Sequence, residues 1–134
     1  MRRVLLVPLA LLLAACGTSD STVESLADRI EADLNAEDGV SEVVVQHRAD
    51  LDHEQRLTVT ATVRDGGTAD RALEIVKRDY WTGTGRTVDF RVRFADETGV
   101  ELRKSDVRFE LGDVVEMERR YGPRSEAGEL DPGR

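Results

Sequence analysis

Two separate stretches of this chain alternate apolar and polar residues without a break, and that period of two limits the folds open to it. In RLTVTATVR, Leu57, Val59, Ala61 and Val63 fall on one side and Thr58, Thr60, Thr62 and Arg64 on the other. In TVDFRVRF, Val88, Phe90, Val92 and Phe94 oppose Thr87, Asp89, Arg91 and Arg93. Successive side chains of a strand point to opposite faces, so each stretch has one apolar face and one wet face. A sheet of such strands buries one side only, and it needs a layer of helices to bury it against.

The helices are legible by their own period. Ser21 and Glu24 stand at capping-box spacing, and Val23, Leu26, Ala27, Ile30 and Leu34 follow at helical intervals, which predicts a helix over 22–35. Its polar face is mostly Asp and Glu, whereas helices that lie on membranes are basic there, so it is expected to pack on the sheet. Thr68 is the expected cap of a second helix, in which Ala69, Ala72, Leu73, Val76 and Tyr80 repeat the spacing, Ile75 widens the stripe, and WTGTGR supplies the stop. GVSEVVVQHR reads as a strand ahead of RLTVTATVR, joined to it by a polar connection short enough for an antiparallel hairpin.

After the ADETG turn, VELRKSDVRFEL reads as a fourth strand. Its apolar residues change phase between Val100 and Leu102 and the later Val107, Phe109 and Leu111, which predicts a bulge near Ser105. A short helix over 113–121 aligns Val114, Met117 and Tyr121 and stops at Gly122-Pro123. The expected fold is a two-layer α+β sandwich: an antiparallel sheet of about four strands with two helices on one face, in the order α-β-β-α-β-β-short α.

The first residues follow different rules. Arg2 and Arg3 precede 12 uncharged residues, 4–15, too few for a helix that needs about 20 to cross a bilayer but suited to a secretory leader. The only cysteine, Cys16, follows at once, so no internal disulfide can form. The division expected is a leader over 1–15, a tether over 16–21, a single α+β domain over 22–122 and a disordered tail over 123–134. Loss of the leader removes two arginines and takes the net charge from −8 to −10. Such a surface repels phosphate, so nucleic acid is excluded as a partner class.

Leu13, Ala14, Ala15 and Cys16 resemble the lipobox of bacterial lipoproteins, with Leu13, Ala14 and Ala15 as the signal-peptidase recognition residues. The resemblance implies cleavage after Ala15, a diacylglyceryl group on the Cys16 thiol, and a protein held to the cell membrane by lipid and facing outside the cytoplasm. Two acyl chains make such an anchor stable where one is marginal. The whole layout, ending in the YGPR of Tyr121, Gly122, Pro123 and Arg124, is similar to small bacterial lipoproteins of unknown function. The element order also resembles the BON domain of envelope proteins, although the first hairpin lacks that domain's glycine pattern. Neither resemblance supplies catalytic residues.

The chemistry-bearing residues are few. His47, Asp50, Asp52, His53 and Glu54 crowd the first hairpin, and imidazole with carboxylate is zinc-binding chemistry, but no HExxH spacing is present. No GxSxG elbow occurs, and GTGR at 83–86 follows a helix where phosphate loops follow a strand. The reading is therefore a non-enzymatic envelope domain with no metal and no cofactor, which binds an envelope protein or ligand or serves as an accessory component. A small surface hydrolase or metal-dependent enzyme using the His47 to Glu54 loop is the alternative. The candidate binding residues are Arg91 and Arg93, whose guanidinium forks suit carboxylate or phosphate, and Tyr80 and Trp81, whose type is enriched at interfaces.

Overall fold

The computed structural model describes residues 21–49 and 54–124. Seven elements follow in the expected order: α1 (Ser21–Ala36), β1 (Val40–Ala49), β2 (Gln55–Val63), α2 (Gly66–Gly83), β3 (Val88–Ala95), β4 (Glu101–Val107) and α3 (Leu111–Tyr121). The strands form one sheet in the spatial order β1-β2-β3-β4.

The pairings correct one expectation. β1–β2 and β3–β4 are antiparallel, but the central β2–β3 pair is parallel, so the sheet is mixed. The cause lies in the connection. A single helix between two strands carries the chain back to the end of the sheet where it began, and the next strand must then run the same way as the last. Only the two hairpins reverse direction.

Alternation decides what is buried. Leu57, Val59 and Val63 of β2 and Val88, Phe90, Val92 and Phe94 of β3 are at most 3% exposed. They pack with Val23, Leu26, Ile30 and Leu34 of α1 and Ala69, Ala72 and Val76 of α2. Burial of each such large side chain contributes roughly 1.5–3 kcal/mol. The two helices run antiparallel, close enough that a Cβ on Gly83 would lie 2.9 Å from Leu26 Cδ1, so glycine is what lets α2 end against α1.

Local chemistry moves three boundaries. α2 is capped by Asp65, not Thr68: one Asp65 carboxylate oxygen accepts from both the Thr68 backbone N–H and the Thr68 hydroxyl, each at 2.8 Å. A carboxylate is the better acceptor at the positive end of a helix, and those bonds, the backbone one first, hold the Asp65 pKa below its ordinary value. The β3–β4 register slips at Leu102, between Arg103 and Glu101, and not near Ser105. Arg103, in phase with Ser105 and Val107 and opposite Phe94, lies on the helix side, where its Nε donates to Asp70 of α2 at 2.7 Å. Arg124, expected in the tail, is seated on the fold, donating to the Thr84 and Arg86 carbonyls.

Candidate functional site: the open sheet face

The face of the sheet away from the helices carries the polar half of each alternating strand. Register assembles these residues into rows. The parallel pairing sets Thr58 beside Arg91 and Thr60 beside Arg93, and the antiparallel β4 sets Asp106 opposite Arg91 and Lys104 opposite Arg93. β1 completes the rows with Gln46 beside Thr58 and Val44 beside Thr60. Thr58, Thr60, Arg91, Arg93, Lys104 and Asp106 line a shallow groove of about 520 Å³.

Its charges are only partly neutralised. Arg91 lies 3.7 Å from Asp89, and Arg93 Nε reaches Glu101 at 2.9 Å, with both arginine side chains more than half exposed. Asp89 is shared with Arg56, whose Nε donates to it at 2.8 Å. The side chains of Lys104 and Asp106 make no hydrogen bond or ion pair among the described residues. The arrangement offers guanidinium, ammonium and hydroxyl groups to an anionic ligand, with one carboxylate beside them.

Of the four candidate binding residues, Arg91 and Arg93 thus share this surface and Tyr80 and Trp81 do not. Both aromatics are at most 3% exposed, on the opposite side of the sheet, which removes them as a contact surface. The Tyr80 hydroxyl donates to the Arg86 carbonyl and accepts from the Val88 N–H, each at 3.0 Å, which fixes the entry into β3. Trp81 Nε1 donates to the Gly122 carbonyl at 2.8 Å. Phe109 stacks on Tyr80 at 4.9 Å and meets Trp81 edge-on at 5.3 Å. The Arg124 guanidinium closes the cluster, 4.9 Å from the Tyr80 ring centre, and donates to the Arg86 carbonyl at 2.9 Å. Tyr121 donates to Glu74 at 2.6 Å, so three of the four residues in YGPR hold the C-terminal end to α2.

The hairpin alternative meets a different geometry. His47 pairs with Leu57 and so faces the helix side, where its Nε2 donates to Gln55 Oε1 at 2.6 Å. Asp50, Asp52 and His53 lie outside the described residues, as do Leu13, Ala14, Ala15 and Cys16. Among the described residues no group of three or more His, Cys, Asp or Glu converges as a metal site, and no helix is long and apolar enough to cross a membrane.

One cluster escaped the sequence reading. Asp79 of α2 is fully buried against α1, with Oδ1 accepting from Arg78 at 3.1 Å and lying 3.5 Å from Arg29 Nε. Its Oδ2 has no hydrogen-bond partner among the described residues. Burial, and then the neighbouring Asp33 carboxylate, push its pKa up to about 6. The sequence signal was available: Asp79 falls three residues after Val76, on the apolar stripe of α2.

The chain matches no family model, no curated protein and no solved structure.

Proposed function

We propose that this protein is a lipid-anchored, non-enzymatic domain outside the cytoplasmic membrane that binds a component of the bacterial envelope through its open sheet face. The observation that carries the reading is the groove of about 520 Å³ lined by Arg91, Arg93, Lys104, Thr58 and Thr60, in a chain whose net charge is −8. Cations gathered on one face of an acidic protein create a local field opposite to that of the rest, which steers an anionic partner to that face. Anchoring rests on the resemblance of Leu13, Ala14, Ala15 and Cys16 to a lipobox. A tether of a few residues between Cys16 and α1 would keep the domain at the membrane surface, where the effective concentration of envelope partners is high.

The test of the anchor is intact mass and membrane fractionation of the native protein beside Cys16→Ala. The expected wild type is detergent-extracted and carries a diacylglyceryl mass on Cys16, and the variant is unprocessed or released. An unmodified wild type in the soluble fraction would reject the anchor. The enzyme reading is tested by changing His47 and His53 together to Ala: stability and partner capture are expected to persist, and loss of a hydrolytic activity measured in the native protein would favour that alternative.

A further inference from the structure

Cross-strand neighbours on a sheet are stabilising when their charges are opposite and destabilising when they are alike. The open face breaks that rule twice. Arg93 and Lys104 are direct partners across β3–β4, and Arg48 and Arg56 are direct partners across β1–β2. Lys104 is one of only two lysines in the chain, and a carboxylate at its position would answer the Arg93 guanidinium across the strands. The opposite-charge pair that lines the groove, Arg91 and Asp106, is in register, but Asp106 makes no ion pair among the described residues. Glu101 answers Arg93 and Asp89 answers Arg56, which leaves Lys104, opposite Arg93, as the groove cation without a carboxylate among the described residues, open to an anion that arrives from outside.

We propose that the groove binds an extended peptide segment of a partner protein that carries acidic residues at alternate positions. This rests on the reading of the protein as a binding module and names what its face recognises. Arg91 and Arg93 are two residues apart on one face of β3, about 6.6 Å along the strand, which is the spacing of alternate side chains in any extended peptide. A segment laid along β3 brings successive carboxylates to Arg91 and to the Arg93–Lys104 pair, where guanidinium forks bind them bidentately. The Thr58 and Thr60 hydroxyls border the same path and can donate to carboxylate oxygens or accept peptide N–H groups. The unpaired Asp106 carboxylate suits a backbone N–H or a basic side chain of the segment. It disfavours a uniform polyphosphate, which the acidic remainder of the protein also repels.

The test uses the detergent-solubilised full chain and fluorescence anisotropy with three probes: a labelled octapeptide alternating Glu and Thr, its Lys and Thr counterpart, and sodium polyphosphate as competitor. Binding of the Glu peptide alone is expected, weakened at least tenfold by raising salt from 50 to about 300 mM and at least tenfold by Arg93→Gln. Lys104→Glu is the decisive variant, because it should raise the melting temperature by relieving the Arg93 repulsion while lowering peptide affinity at least tenfold. A loss of binding with a lowered melting temperature would trace the effect to folding and reject the groove as its cause. No binding of the Glu peptide, or equal binding of the Lys peptide, overturns the inference. Competition by polyphosphate at equal charge, lost in Arg93→Gln, overturns it in favour of a phosphate polymer. Crosslinking of the anchored protein in cells separates the two levels: a partner captured by wild type and lost in Arg93→Gln, with no binding of the Glu peptide, leaves the sheet-face reading standing and removes the acidic segment, whereas a partner captured equally by wild type and Arg93→Gln rejects both.

Discussion

Asp79 is the residue whose chemistry departs furthest from its surroundings. Its carboxyl is enclosed between α1 and α2 with one oxygen unpartnered among the described residues, of which Arg29, Arg78 and Asp33 are the charged groups that face it. A carboxyl whose pKa rises from 3.8 to about 6 on folding binds its proton more tightly in the folded state. The stability it contributes is therefore complete below about pH 4 and is lost as pH climbs through 6, by at most about 3 kcal/mol. Asp65, Asp70 and Asp96 act in the opposite sense, since hydrogen bonds lower their pKa values, and their contribution is lost only as pH falls below the ordinary carboxylate range. The raised Asp79 pKa acts between about pH 4 and 7, and the protein is expected to melt at higher temperature at pH 5 than at pH 7.5. Asp79→Asn, which mimics the protonated acid, should raise the melting temperature at pH 7.5 and flatten that slope. Circular dichroism melts across the range read both effects, and an unchanged slope in the variant would discard the assignment.

At the level of elements, the C-terminal clamp shows how a short motif acquires meaning only when it meets another part of the chain. Tyr121, Gly122 and Arg124 each reach α2 or the segment that follows it, through Glu74, Trp81 and the Thr84 and Arg86 carbonyls. Arg124→Ala removes the cation over three rings together with two hydrogen bonds, and is expected to cost about 1–2 kcal/mol in urea unfolding. Trp81→Phe keeps an aromatic ring and removes the N–H to Gly122, for roughly 1 kcal/mol. By comparison Phe90→Ala, in the centre of β3, should cost about 3–5 kcal/mol, because it opens a cavity in the packed layer. If Arg124→Ala proved neutral, the clamp would be a surface contact with no share in stability. The helices themselves were legible to within one to three residues, since their apolar period is strong. The N-cap of α2 was not, because Asp65 and Thr68 are both good capping types and only the geometry chooses between them.

For the whole molecule, the parallel central pair is the organising fact. β2 and β3 are flanked on both edges by other strands and covered by the helices, while β1 and β4 are the outer strands of the sheet among the described residues. Backbone amides of β2 and β3 are expected to be the slowest to exchange with deuterium, and those around Glu42, where β1 carries a bulge and a φ of 50°, among the fastest within the sheet. Uniform protection of all four strands would contradict that ordering. The sequence alone determined which residues face the core and which face water, because alternation and helical period depend only on neighbours a few positions away. It also singled out Arg91 and Arg93, which share a strand face by that same local rule. Only the tertiary structure decided that β2 and β3 run parallel, that Lys104 stands opposite Arg93, that Tyr80 and Trp81 are enclosed and that Asp79 is buried. Each of these depends on segments distant in the chain meeting at one register, and no local pattern encodes which partner a residue will face.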